Sequence, residues 1–246
     1  MRTWIVDLVD SGLKNTSVNR KLSSLRRYFD FLIKIEVISI NPMQGHKSLK
    51  KQKRVNLPFS QLEVVQVFEK MTAQLYDFSD YRDFLIVDLL YSCGLRRSEL
   101  ISLVYSDVSF ISNELRVKGK GGKVRFVPLM EITLEYLEKY FELYRENWVL
   151  QRDSSLFVTD KGLKIYDNFV FRLVNLYFGE TTTKKKVSPH IIRHSFATHL
   201  LDSGAQLNDI KMLLGHSSLA ATQVYTHNDV GRLLDVYRKA HPRDKK

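Results

Sequence analysis

Apolar residues recur at three- and four-residue spacing along most of the chain, so the pattern predicts a mainly helical protein. Trp4, Ile5, Leu8 and Val9 place one apolar face on a helix over 2–10, which Ser11-Gly12 ends. Thr16 or Ser17 caps a second helix, on which Leu22, Leu25, Tyr28, Phe29 and Leu32 share a face. Asn41-Pro42 stops the next short element. Ser60, with Glu63 in the first turn, caps a helix over 61–72. A strongly apolar helix follows at 81–92, ended by Gly94, then helices at 97–102, 131–147, 165–179, 190–203, 206–214, 218–223 and 228–238. Only one region alternates. Residues 113–118 and 123–129, rich in strand formers such as Val117, Val124, Phe126 and Val127, flank the turn Gly119-Lys120-Gly121-Gly122 and predict a hairpin. Leu156-Phe157-Val158 reads as a short strand, and the polar, basic stretch 181–186 as a loop. The fold class is therefore mainly α with a small antiparallel β-sheet, an α+β chain.

Charge narrows the range of partners. The 246 residues carry 38 Lys and Arg against 27 Asp and Glu, a formal net charge of +11. That excess favours an anionic partner: nucleic acid first, a membrane surface second, with a merely basic enzyme as the plain alternative. The charge is also concentrated. Arg20, Lys21, Arg26 and Arg27 give the second helix a basic face, which lies on phosphates or simply faces water. Residues 46–54, HKSLKKQKR, carry five positive charges and no acid. Such a run is extended and exposed, either a solvated hinge or, the favoured reading, a strap across a phosphate backbone using Lys50, Lys51, Lys53 and Arg54. A single cysteine, Cys93, excludes an intrachain disulfide framework and any zinc cluster needing two thiolates, and reads as a packed core residue. The longest apolar stretches, such as 84–91, are too short to span a bilayer, and Asp7 and Asp10 interrupt the N-terminus against a secretory signal. A cytoplasmic protein is expected.

Individual chemical residues are weak signals. His190 and Arg193 lie three apart on one helix face, and His194 and His199 share that helix. A helical histidine taken alone is usually structural. The set His190, His194, His199, His216 and His227 lacks the H-E-x-x-H pattern, so no metal site is expected. Tyr225 follows in a short polar segment and, alone, reads as packing for the last helix.

Taken together, the words SCGLRRSEL at 92–100, KGKGGKVRFVPL at 118–129 and SPHIIRHSFATHLLDSGAQLNDIKMLLGHSSLAATQVYTH at 188–227 resemble the tyrosine site-specific recombinases and phage integrases, in their Xer-like bacterial branch. The resemblance runs from Thr16 to the end, with 16–32 similar to the last long helix of the family's DNA-grasping domain. It implies a recombinase catalytic fold over 58–246, a basic linker at 49–57, and at 1–48 a shortened, helical SAM-like core-binding domain lacking its first one or two helices. It implies Arg96, Lys120, His190, Arg193, His216 and Tyr225 as catalytic residues, with Glu99 behind them. Duplex DNA would be held in a C-shaped clamp by a homo- or hetero-tetramer, with Arg20, Arg26, Arg27, the linker and Lys184, Lys185 and Lys186 on phosphates. The C-terminal helix, 232–241, would reach a neighbouring protomer or close its own domain.

The chemistry accounts for these residue types independently. Attack on a phosphodiester gathers charge on the nonbridging oxygens, which two guanidiniums can hold by charge-assisted bonds. Tyr225 would become joined to the 3′ phosphate, with His190 as its base, Lys120 protonating the 5′ oxygen and His216 donating to a phosphate oxygen. The ester energy is kept in the phosphotyrosine, so neither ATP nor any cofactor is expected. Two other readings share parts of the pattern: a type IB topoisomerase-like relaxing enzyme, and a DNA-binding protein whose short N-terminal part prevents recombination.

Overall fold

Two units divide the chain, Met1–Val55 and Asn56–Lys246. The computed structural model describes residues 2–50, 57–182 and 187–215, and only the backbone of Lys120. Helices expected at 218–223 and 228–238 lie outside the described residues, as do 183–186 of the basic loop.

In the first unit, α1 (Arg2–Asp10) and α2 (Asn15–Lys34) pack through a small core of Val18, Leu22 and Met43, flanked by Trp4, Ile5, Leu8, Leu25, Phe29 and Leu49. Helix α2 begins earlier than Thr16 or Ser17 would set it. Lys14 occupies the cap position without a side-chain bond, and its carbonyl accepts from the Ser17 amide at 2.8 Å. The helix ends with Glu36 at φ +61°. The amides of Val37 and Glu36 bond back to Leu32 and Ile33, a helix stop in which glycine is the usual occupant. No further helix or strand follows it among the described residues of this unit. Asn41 instead makes a side-chain turn, its Oδ1 accepting from the Met43 amide at 2.8 Å.

The start of the basic run is tied down rather than free. Asn19 is buried, and its carboxamide pairs both ways with the Leu49 backbone, donating at 2.9 Å and accepting at 2.8 Å. Asn15 donates to the Lys50 carbonyl at 2.9 Å, and Arg26 donates to that of His46. Leu49 packs on the small core, which is why residues 46–50 belong to this unit. Lys51, Lys53 and Arg54 lie outside the described residues.

The second unit is built around α4 (Phe78–Ser92), whose residues 84–92 are all buried. A helix apolar on every side must be central. It packs on α3 (Gln61–Thr72), α6 (Glu131–Asn147), α7 (Asp167–Gly179) and α8 (Pro189–Asp202). Ser60 and Glu63 cap α3 reciprocally, as the sequence indicates. Helix α4 starts before the expected Tyr81, because Asp77 and Asp80 form a second such box. Gly94 follows at φ +55°, and a Cβ there would stand 2.5 Å from the Phe196 ring. The turn leads into α5 (Arg97–Ser102), followed by β1 (Val108–Ser109), β2 (Glu114–Lys118) and β3 (Val124–Pro128).

The sheet is antiparallel in the order β1-β2-β3, with Val117 opposite Arg125 and Arg116 opposite Phe126. Leu156-Phe157-Val158 forms no strand. The segment is buried, and only isolated bridges form there, at Val158 and at the adjacent Ser155, because the chain reverses at Thr159–Gly162. Helix α9 (Leu207–Leu214) packs on α8 and β3 and closes the described chain. No described helix is long and apolar enough to cross a membrane.

Candidate active site

Three arginines from three elements converge on one carboxylate. Glu99 is the third residue of α5, and its Oε2 accepts from the amide of Arg96, the residue before the helix, at 2.9 Å. This is half of a capping box, so the local helix start sets the direction of the Glu99 side chain. Its Oε1 takes Arg96 Nη1 at 2.6 Å. From β3, Arg125 adds Nη1 to Oε1 at 3.0 Å and Nη2 to Oε2 at 2.8 Å. From α8, Arg193 Nη1 stands 3.8 Å from Oε2.

The same arginines hold the end of α9. Three consecutive carbonyls each accept from a different one: Leu213 from Arg125 Nε at 2.9 Å, Leu214 from Arg193 Nη2 at 2.6 Å, and Gly215 from Arg96 Nη2 at 3.3 Å. The C-terminal end of a helix carries partial negative charge, which suits three cations. Gly215 takes φ +63°, and a Cβ there would come within 3.2 Å of the Arg125 side chain, so glycine is needed for both reasons. Arg193 Nη1 also donates to the Gly94 carbonyl at 2.5 Å, so the turn after α4 is a wall of the site.

The balance of charge points outward. Burial would raise the Glu99 carboxyl, but the bonds and charges of Arg125, then of Arg96, bring it down to about 2. Burial, and then the neighbouring Arg96 charge, push the Arg193 guanidinium down to about 10. Arg193 and Arg125 are buried, whereas a third of the Arg96 side chain is exposed. Three guanidiniums against one carboxylate leave an excess of positive charge with an open side, which is an anion site.

Of the other residues singled out from the sequence, His190 is exposed in the first turn of α8, one turn before Arg193. Lys120 lies in the hairpin turn, where Gly119 N–H donates to the Lys123 carbonyl at 2.7 Å. The base of that turn abuts the cluster: a Cβ on Gly119 would stand 3.7 Å from Glu99 Oε1. His216 immediately follows Gly215 in the sequence but, like Tyr225, lies outside the described residues. In the first unit, Arg20, Arg27 and Lys50 are exposed, whereas Arg26 is half-buried and spends a donor on His46. Lys184, Lys185 and Lys186 lie outside the described residues.

Two other groups are internal. His199 is buried, its Nε2 at 2.8 Å from the Phe59 carbonyl and its Nδ1 at 2.8 Å from the Tyr91 hydroxyl. A carbonyl only accepts, so Nε2 carries the proton and Nδ1 takes that of Tyr91. The Cys93 thiol is pushed up to about 12 by burial and then by the Asp88 charge, which leaves it inert. Sequence reasoning did not single out Arg125. The signal available was its place opposite Val117 in the hairpin, on the side that Leu115 and Val117 bury.

The chain is similar to known proteins along nearly its whole length. Residues 68–232 match the Phage integrase family, and residues 1–36 match the Phage integrase, N-terminal SAM-like domain. A tyrosine recombinase XerC of Thermodesulfovibrio yellowstonii is 39% identical over 250 residues, covering 100% of this chain and 82% of the relative. A tyrosine recombinase XerC of Chlorobaculum parvum is 37% identical, with 98% and 78% covered. A tyrosine recombinase XerD of Oceanobacillus iheyensis is 37% identical, with 96% and 79% covered. Among solved structures, the XerH site-specific recombinase bound to a palindromic difH substrate superposes with a TM-score of 0.71 at 23% identity, covering 92% of this chain and 67% of that one. The Tn1549 transposon integrase in complex with transposon right end DNA gives 0.67 at 21%, with 95% and 82% covered. The chain belongs to the phage integrase family, in its Xer-like group of tyrosine recombinases.

Proposed function

We propose that this chain is an enzyme of site-specific recombination that cleaves and rejoins duplex DNA through a covalent 3′-phosphotyrosine, without metal or ATP. The observation that carries the reading is the convergence of Arg96 and Arg193 beside Glu99, at the end of the helix that leads directly to His216.

The scissile phosphate enters the open side of the arginine cluster. Arg96 and Arg193 hold its nonbridging oxygens, where charge grows as the phosphorus becomes five-coordinate. The Tyr225 oxygen attacks the phosphorus, and His190 takes the phenol proton. The bond from phosphorus to the 5′ oxygen breaks, and Lys120 supplies the proton that this oxygen needs. His216 donates to a phosphate oxygen. Strand exchange follows when the 5′ hydroxyl of a partner strand attacks the phosphotyrosine and restores the tyrosine. Glu99 stays ionised throughout and holds Arg96 by its own helix start.

Residues 1–48 are read as the DNA-grasping unit, which clamps the first two residues of the basic linker 49–57 through Asn19 and Asn15, and 58–246 as the catalytic domain. Arg20, Arg27 and the linker cations contact phosphates, with Arg26 contributing mainly to holding the strap. The protein works as a tetramer on two sites, associated with the nucleoid in the cytoplasm. The test is covalent capture from a pool of nicked random-sequence duplexes. The parent should yield a DNA-linked band on a denaturing gel, mapped to Tyr225 by mass spectrometry. Tyr225→Phe should bind duplex and yield none. An adduct that survives Tyr225→Phe defeats the reading.

A further inference from the structure

Arg125 is the most firmly placed of the three arginines. It is buried, it alone among the described residues grips Glu99 with both prongs of its fork on separate oxygens, and its Nε holds Leu213 at the end of α9. The same carboxylate oxygens are within reach of Arg96 and Arg193. Glu99 thus has three cations competing for it, and the outcome decides where the other two guanidiniums point. With Arg125 on both oxygens from the interior side, Arg96 donates one side-chain bond to Glu99, from Nη1, and Arg193, bonded to the Gly94 and Leu214 carbonyls, stands 3.8 Å away.

Accordingly, we propose that Arg125 is a positioning residue for strand cleavage. Its fork occupies Glu99 from behind and fixes the end of α9, so that Arg96 and Arg193 keep donors free for the scissile phosphate. The proposal rests on the function proposed above. Arg125 itself touches no substrate: it is walled in by Glu99, Leu213 and Gly215. Without the fork, Glu99 draws Arg96 and Arg193 onto its own oxygens. The charge of the site is then spent internally, and the phosphate meets guanidiniums turned the wrong way. Lysine supplies the charge but a single point of attachment, so it cannot occupy both oxygens in one plane.

The test measures single-turnover adduct formation by the full-length chain on two captured duplexes. One carries the natural scissile phosphodiester, and the other carries a methylphosphonate there, which has a methyl group in place of one charged oxygen. Arg125→Gln should bind duplex as the parent does. On the phosphodiester it should form adduct about 100-fold more slowly, the loss expected when reacting groups are misplaced by about an ångström. On the neutral methylphosphonate the misdirected guanidiniums matter far less, so the ratio of the two rates should collapse. Arg125→Lys, the milder change for folding, should move the ratio in the same direction by less. Equal losses on both duplexes mark a general structural defect and overturn the proposal, as does an unchanged phosphodiester rate or a parental ratio in Arg125→Lys. A parent that forms no Tyr225 adduct would defeat the proposed function instead. A parent that forms it, with a ratio unmoved at position 125, would defeat this inference alone.

Discussion

Arg125 and Glu99 meet fork to fork, Nη1 on one carboxylate oxygen at 3.0 Å and Nη2 on the other at 2.8 Å. Both side chains are buried, one from a strand and one from a helix start. A buried pair of this kind is costly to break from one side, because the partner keeps its charge without compensation.

The pH dependence of stability follows from that pair. Glu99 is held at about 2, below its ordinary 4.5. A carboxyl depressed on folding contributes stability that is present above pH 4.5 and lost as pH falls toward 2. At about 1.4 kcal/mol per pH step, Glu99 contributes on the order of 3 kcal/mol at neutral pH. Urea unfolding of the parent and of Glu99→Gln should therefore differ by about that amount at pH 7, and the gap should narrow between pH 4.5 and 2. A gap that stays constant with pH would show that the charge of Glu99 is not what stabilises the cluster.

Gly94 links the core to the site. It lies at φ +55°, its carbonyl accepts from Arg193, and a Cβ would collide with Phe196 at 2.5 Å. Gly94→Ala should cost about 1–2 kcal/mol for the left-handed backbone and about 1–3 kcal/mol for overpacking. Gly121, at φ +76° with open space around it, supplies the control, since alanine there meets the backbone cost alone. Chemical denaturation should rank Gly94→Ala well below Gly121→Ala. Equal stabilities would mean that Phe196 yields freely.

Electrostatic binding is tested at the strap. Replacing Lys50, Lys51, Lys53 and Arg54 with glutamine should weaken binding to every duplex, whatever its sequence. The slope of log affinity against log salt should become shallower by about 0.9 for each phosphate that is no longer neutralised. Asn19 and Leu49 are left intact, so the small unit keeps its clamp on residue 49. An unchanged slope would return the run to a solvated hinge.

Local signals in the sequence led to the elements that carry the site. The Ser60 and Glu63 pair marks the start of α3, and helices 97–102 and 131–147 have the bounds their patterns indicate. The hairpin, too, is where alternation and a glycine-rich turn put it. Arg125 escaped notice because β3 runs against its composition: Val124 and Phe126, the strand formers, are exposed, and the arginine between them is buried. Only the register with β2 reveals this, since Arg125 faces Val117. The Asn19 clamp on Leu49 was equally hidden, because a carboxamide pairing across 30 residues leaves no local pattern. Strand β1 is two residues long, too short for any periodicity.

The leaving group decides the role of Lys120. Its turn is anchored by the Gly119 bond to Lys123, and the base of that turn stands against Glu99 and Arg125. The backbone contact to the arginine cluster is thus made at Gly119, one residue before Lys120. An ordinary 5′ alkoxide is a poor leaving group and needs a proton as it departs, whereas a thiolate leaves with hardly any help. Lys120→Ala should therefore slow adduct formation on a normal duplex by about 10²–10⁴-fold, the usual contribution of a positioned acid. On a duplex with sulfur in the bridging 5′ position, parent and variant should cleave at nearly equal rates. Arg96→Ala and Arg193→Ala should stay slow on both duplexes, because the role proposed for them is on the nonbridging oxygens, which the sulfur leaves untouched. Rapid-quench measurement of the four proteins on the two duplexes separates the roles. Failure of sulfur to restore Lys120→Ala would remove the lysine from proton transfer and leave it as a phosphate contact.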